Sequence, residues 1–340
     1  MRTRRLIITA GFVAALFAAS GSPAESSKKI AQTGFQFLSV NSDGRASALA
    51  GAVTALELKS SSLFFNPAGM ANLNAFFDIS MSDNKFIADI HHRTLSAAIR
   101  PWKGQYGVIG FSYQDVDYGD VQGTVVAEGG NSYIDTETLK PSAKSIGVGY
   151  AMALSDRFSV GGQIKYVKQD LGWSFVPASS VANADTNQVD NKLSPLAFDF
   201  GTQFKTGIQS LTFGMTIRNF SEEVKYAREG FQLPLIFTMG ISMDLMDVLP
   251  KTGLAQSLMM SIDATHDRSH TSKAAEHLLI GLDYRLMNVL SLRGGYATGE
   301  DLNAFSFGLG VSRFGVSLDY SYTPFDFFNT VQRMTARISL

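Results

Sequence analysis

The chain contains no cysteine. Disulfides, iron–sulfur clusters and thiol catalysis are therefore excluded, and so is a lipid anchor carried on a cysteine after a cleaved leader. Charge is sparse and balanced: 29 basic against 30 acidic residues give a formal net charge of −1, with 17% charged overall. That is below the roughly 25% usual for soluble domains. It leaves no basic footprint for nucleic acid, which is not expected as a partner. Long apolar runs are missing too. Beyond Ala19 no stretch approaches the about eighteen apolar residues a membrane-spanning helix needs. Tryptophan occurs only twice, whereas there are 25 phenylalanines and 31 glycines.

The one apolar stretch of any length stands at the start. Arg2, Arg4 and Arg5 precede Leu6 to Ala19, and Ser22-Pro23-Ala24 places small residues where a signal peptidase reads them. Residues 1–24 are expected to be a cleaved signal peptide, with the cut before Glu25. An exported chain without a helical anchor is periplasmic, secreted or barrel-forming.

Periodicity decides among these. From about residue 75 onward, apolar residues alternate with small or polar ones at the period of two that marks strands. In one segment Phe314, Val316, Leu318, Tyr320 and Tyr322 oppose Gly315, Ser317, Asp319 and Ser321. In another Phe305, Phe307, Leu309 and Val311 oppose Ser306, Gly308, Gly310 and Ser312. The strands run to about nine to eleven residues, the length that crosses a bilayer at a tilt. About fourteen such segments can be counted, an even number as single-chain bacterial barrels have. Tight links at Ser155-Asp156-Arg157, Thr206-Gly207-Ile208, Met287-Asn288 and Ser312-Arg313 alternate with long polar ones. The long links run from Val116 to Ser142, Asp170 to Lys192, Asn219 to Pro234 and His266 to Ala275. Short periplasmic turns alternating with long external loops are the outer-membrane pattern. The link from Leu245 to Gln256 is too long for this scheme and is expected to hold a short helix. The predicted fold is all-β: a transmembrane antiparallel β-barrel of about fourteen strands over residues 75–340, in the bacterial outer membrane and in contact with its lipid.

Residues 25–74 do not alternate. Ala46 to Val53 is small and apolar, and Asn66-Pro67-Ala68-Gly69-Met70 follows, with Asn66 suited to cap a helical turn and Pro67 to open it. The segment reads as a plug, or hatch, within the lumen. The run Gly44 to Ala55 followed by Asn66-Pro67-Ala68-Gly69 resembles the N-terminal signature of the PorV/PorQ family. That family is related to the FadL-type transporters of long-chain fatty acids. Gly281 to Arg285, Leu292 to Tyr296 and Leu318 to Tyr320 are similar as well. The resemblance implies a fourteen-stranded barrel with a lumenal hatch, moving hydrophobic small molecules across the outer membrane. Its alternative implication is an accessory or shuttle barrel of type IX secretion, whose partners would be secreted proteins or secretion-system subunits.

Charged residues on the polar face mark candidate lumen positions: Asp199, Arg218, Asp244, Asp263, Asp283, Arg285, Arg293 and Asp319. Mutual ion pairing is the first reading of this set and solute guidance the second. No HExxH or GxSxG motif occurs, and the paired glycines lie within strands with no helix following. No enzymatic activity and no cofactor are expected. His266, Asp267 and His270 stand on a polar loop near Asp263 and His277, and a loop of this kind is not expected to hold a metal. His91 and His92 are adjacent and so face opposite sides of a strand. Tyr320, Tyr322, Phe325, Phe327 and Phe328 fit an interfacial aromatic girdle, the alternative being a hydrophobic ligand entrance formed by Phe325, Phe327 and Phe328.

Overall fold

The computed structural model describes residues 34–126, 133–177, 186–226, 230–248, 255–267, 275–299, 304–325 and 330–340. The expected signal peptide, His270, Phe327 and Phe328 lie outside the described residues.

Fourteen strands form the wall. They are β1 (Phe77–Lys85), β2 (His91–Ile99), β3 (Val108–Asp117), β4 (Ser142–Ala153), β5 (Phe158–Pro177), β6 (Leu196–Lys205) and β7 (Thr212–Phe220). After them come β8 (Ile236–Asp244), β9 (Gln256–Asp267), β10 (Ala275–Leu286), β11 (Leu290–Ala297), β12 (Phe305–Arg313), β13 (Val316–Thr323) and β14 (Val331–Ser339). Each pairs antiparallel with its neighbours in sequence. The sheet closes where β14 pairs with β1, Asp78 opposite Ser339 and Lys85 opposite Gln332. Closure leaves the barrel itself no free edge, so every wall N–H and C=O can pair without water.

The alternation sorts side chains as the sequence predicts. On β12, Phe307 and Leu309 are each 54% exposed on the outside, whereas Ser306 is 4% exposed on the inside. Outward Met81, Val148, Ile164, Phe200 and Leu292 continue this apolar band around the barrel. An apolar surface that encircles the molecule far exceeds the patches of a few hundred Å² that water-soluble monomers expose. Lipid is the solvent that suits it.

Three connections differ in detail from the sequence reading. Phe314 continues the alternation on paper, yet Phe314 and Gly315 both take positive φ and form the tight turn between β12 and β13. The turn thus falls just after the expected link at Ser312-Arg313, and Phe314 projects 84% exposed at the short-turn rim. Two of the long links are also structured. Val121–Val126 pairs with Tyr133–Leu139, and the far end of β5 pairs with Thr186–Leu193. Alternating Val, Thr, Ile and Tyr within those loops suffices for hairpins despite the polar residues between them. Trp173 Nε1 donates to Glu137 Oε1 and joins one hairpin to the other. The link after β8 opens with a single 3₁₀ turn, Leu245–Asp247.

Residues 34–73 occupy the lumen. Short elements make up this hatch: 3₁₀ turns at Gln36–Ser39, Lys59–Phe64 and Pro67–Met70, and one helix, α1 (Gly44–Ala48). Leu49, Leu58, Leu63, Met70 and Leu73 are fully buried.

Candidate functional site: the lumen and its hatch

The hatch is fastened by local capping chemistry that also reaches the wall. Asn66 Oδ1 accepts from Ala68 N (3.1 Å), capping the turn that Pro67 opens. Its Nδ2 donates to Thr54 O (2.7 Å) within the hatch and to Thr202 O (3.1 Å) on β6. One side chain thus ends a turn, holds a second hatch segment and binds the wall. The wall opposite must be glycine: a Cβ on Gly201 would stand 1.9 Å from Asn66 Oδ1. Pro67, Ala68 and Gly69 are all buried at this contact. Asp43 does a similar double duty. It caps α1 by accepting from Ala46 N (3.0 Å) and lies 3.3 Å from Arg337 Nη2 on β14.

Four of the eight charged candidates form one cluster, and the other four lie apart from it. Asp283, Arg285, Arg293 and Asp319 come together on β10, β11 and β13. Arg293 Nη1 lies 2.6 Å from Asp319 Oδ1, and its Nε lies 3.2 Å from Asp283 Oδ1. Arg45 of the hatch reaches the other oxygen of Asp283 at 3.2 Å, and Arg285 stands 4.0 Å from it. Register explains the cluster. Asp283 is directly opposite Arg293, and Gly310, directly opposite Asp319, has no side chain to obstruct the guanidinium. Such pairs repay their desolvation only when geometry and further hydrogen bonds are good, and removing one partner strands the other.

Asp199 and Arg218 lie elsewhere. Asp199 Oδ2 is 2.8 Å from Lys165 Nζ, and its Oδ1 accepts from Asn219 N (2.7 Å) at the bulge that ends β7. Arg218 Nη1 donates to Phe64 O of the hatch at 2.7 Å. Asp263 on β9 forms a latch: Oδ2 accepts from both Val53 N (2.9 Å) and Thr54 N (2.8 Å), and the residue is wholly buried. Asp244 has the inward parity but sits at the end of β8. It accepts from Met246 N (2.9 Å) and Leu258 N (3.0 Å), so its bonds go to turn backbone rather than to another lumen charge.

The reading from sequence passed over Asp78, Lys165, Arg333 and Arg337. Asp78 accepts from Ser60 N (3.0 Å) and Ser60 Oγ (2.5 Å) and is 3.8 Å from Arg337 Nε. All four lie on the inward parity of alternating strands, a signal the sequence does carry. His92 points inward and is buried, while His91 lies near Asp83 at 3.8 Å. Asp263 and Asp267 face the lumen, whereas His266 lies on the other face, 3.9 Å from Glu276. Phe325 packs edge-on against Phe86.

The hatch divides the lumen. On the long-loop side lies a cavity of about 210 Å³ lined by Phe65, Arg218, Thr238, Leu279 and Arg333. On the short-turn side lies one of about 610 Å³, where Arg45, Lys59, Arg285 and Arg337 meet Leu56 and Met259. Between them the Val53–Thr54 backbone is held on Asp263.

A family model matches residues 10–227, well over half of the chain. The chain belongs to the uncharacterised protein family UPF0164. No curated protein matches this UPF0164 chain. Solved structures do match its fold. The CymD monoaromatic hydrocarbon channel aligns with a TM-score of 0.57 at 12% identity, over 88% of this chain and 98% of that one. The Pseudomonas putida toluene transporter TodX gives the same values. A Pseudomonas aeruginosa FadL homologue aligns at 0.52 with 14% identity, over 88% and 99%. The UPF0164 chain therefore has the FadL-type barrel fold, and its encircling apolar band places it in the bacterial outer membrane.

Proposed function

We propose that this barrel moves a small, largely hydrophobic molecule across the outer membrane without chemically altering it, with the hatch as the barrier. The observation that carries the reading is the divided lumen: two cavities separated by a segment that hydrogen bonds and ion pairs fasten to the wall. The fold relatives named above are, by their own titles, a monoaromatic hydrocarbon channel and a toluene transporter, which supports the same reading. The cavities here are of mixed polarity rather than continuously apolar, so the cargo is expected to carry at least one polar group. The alternative, a PorV/PorQ-like barrel serving type IX secretion, calls for a wide lumen that grips a protein. Residues 34–73 fill that space, which favours the small-molecule reading.

A reversible lock tests the proposal. The chain has no cysteine of its own. A Cβ on Gly44 of the hatch would lie 3.3 Å from Thr335 Oγ1 on β14, so the pair Gly44→Cys and Thr335→Cys can be bridged. Proteoliposomes holding this variant should take up benzenesulfonate, a single ring with a polar group that does not itself cross lipid, when reduced and lose that uptake when oxidised. Equal uptake in both states, or none above empty vesicles in either, would sink the reading.

A further inference from the structure

The lumen arginines differ in one respect. Arg45, Arg285, Arg293 and Arg337 each have a carboxylate within 4.0 Å. Arg333 has none among the described residues. It is 6% exposed, its Nε donates to Asn41 O (2.8 Å), and its Nη1 donates to Thr323 Oγ1 (2.9 Å). Both acceptors are neutral. A guanidinium taken out of water in this way keeps its charge and has no opposite charge to offset the desolvation. Arg218 has no carboxylate within 4.0 Å among the described residues, although Asp199, Asp263 and Asp267 act on it from further away; one Nη donates to the Phe64 carbonyl, and its Nε is buried without a hydrogen-bond partner.

Both guanidinium groups line the cavity of about 210 Å³ on the long-loop side, Arg218 from β7 and Arg333 from β14. The other ionisable groups on that wall have partners already. His277 Nδ1 lies 3.0 Å from Thr298 O, and Asp267 is also engaged. Phe65, Ile236 and Leu279 add an apolar side to the same space. A cavity of about 150 Å³ holds a benzene ring. The space here is sufficient for one ring with a small substituent.

We propose that this outer cavity binds a small organic monoanion: a carboxylate on an apolar group no larger than a single ring. Arg333 and Arg218 take the carboxylate, and Phe65 and Leu279 take the ring. The inference rests on the transport reading and narrows its cargo from hydrophobic molecules in general to compact acids. Carboxylate recognition by guanidinium is charge-assisted and well matched in shape, which separates such an acid from its neutral isostere.

The test is calorimetric titration of the folded full-length protein in detergent, at constant ionic strength, with benzoate, benzamide and inorganic phosphate. Benzoate should bind about tenfold or more tighter than benzamide, the expected contribution of a charge-assisted bond. Arg333→Gln should remove that preference, and Arg218→Gln should reduce it. Benzamide matching benzoate would overturn the proposal. So would phosphate binding as tightly as benzoate, or an undiminished preference in Arg333→Gln. If Arg333→Gln loses the heat-modifiable mobility of a folded barrel, Arg218→Gln decides alone, an unchanged preference counting against the site. Benzenesulfonate uptake into proteoliposomes, measured in parallel, reads the transport proposal separately. Uptake without benzoate preference sinks only this site, and preference without uptake sinks only the transport reading.

Discussion

Apolar packing dominates one end of the hatch, whereas deeper in the barrel ion pairs and hydrogen bonds to the wall are added to it. Near the long loops, Phe35, Phe37 and Leu38 pack against Val116, Ala143, Val167, Ala197 and Leu233. Deeper in the barrel, Asp43, Arg45, Val53, Thr54 and Asn66 are fixed by ion pairs and hydrogen bonds. Apolar packing is nearly non-directional and tolerates a change of shape that conserves volume. A buried charge network tolerates almost nothing, because each member satisfies another. On the proposed transport reading the hatch has to be fastened yet separable from its wall, which the second kind of contact at its centre serves well. Polar groups released there can be taken up by water, whereas an apolar surface cannot.

Four substitutions sharpen this contrast, in descending order of expected effect. Arg293→Gln leaves Asp283 and Asp319 buried and should cost about 3–5 kcal/mol. Urea unfolding of the barrel in lipid vesicles measures it, and a loss under about 1 kcal/mol would contradict the network. Asp263→Ala removes one acceptor from two hatch N–H groups and should loosen the hatch by about 3 kcal/mol. Planar-bilayer recordings should then show frequent openings absent from the wild type, and a silent, closed variant would argue against the latch. Phe35→Leu in the apolar end should cost only about 1 kcal/mol by the same urea assay, since the change is small in volume and stays apolar. A cost as large as that of Arg293→Gln would erase the distinction between the two ends. Lys205→Gln breaks a pair with Glu57 at 3.0 Å in which both side chains are more than two-fifths exposed. Its effect should be within about 1 kcal/mol, as for other solvated pairs.

Much of the wall was legible in the sequence, because a strand that separates lipid from lumen has to alternate. Asp283, Arg293 and Asp319 were recognisable as inward positions from parity alone. That they form one cluster was not, since it depends on register: Asp283 stands directly opposite Arg293 only when β10 and β11 pair as they do. Arg333 and Arg337 carry the same parity signal but sit in the last strand among Thr335 and Gln332, where the apolar face is weak. The two external hairpins escaped notice because Gly, Ser, Asn and Asp dominate those stretches and mask the β-branched residues between them. Phe314 shows the opposite error, an alternating residue that sits in a turn because Gly315 follows it.

The sequence by itself determined the barrel. Period-two patterning, the length of the alternating segments and the sorting of short and long links are local properties, and an apolar band facing lipid follows from them. Tertiary structure alone decided what the lumen contains. The path of residues 34–73, the acceptors Asp263 offers to Val53 and Thr54, and the bond of Arg333 to Asn41 all join groups more than 200 residues apart in the chain. Local preference does not extend over such separations. They are set by which side chains closure of the sheet brings to the same depth, and by the need of each buried polar group for a partner there.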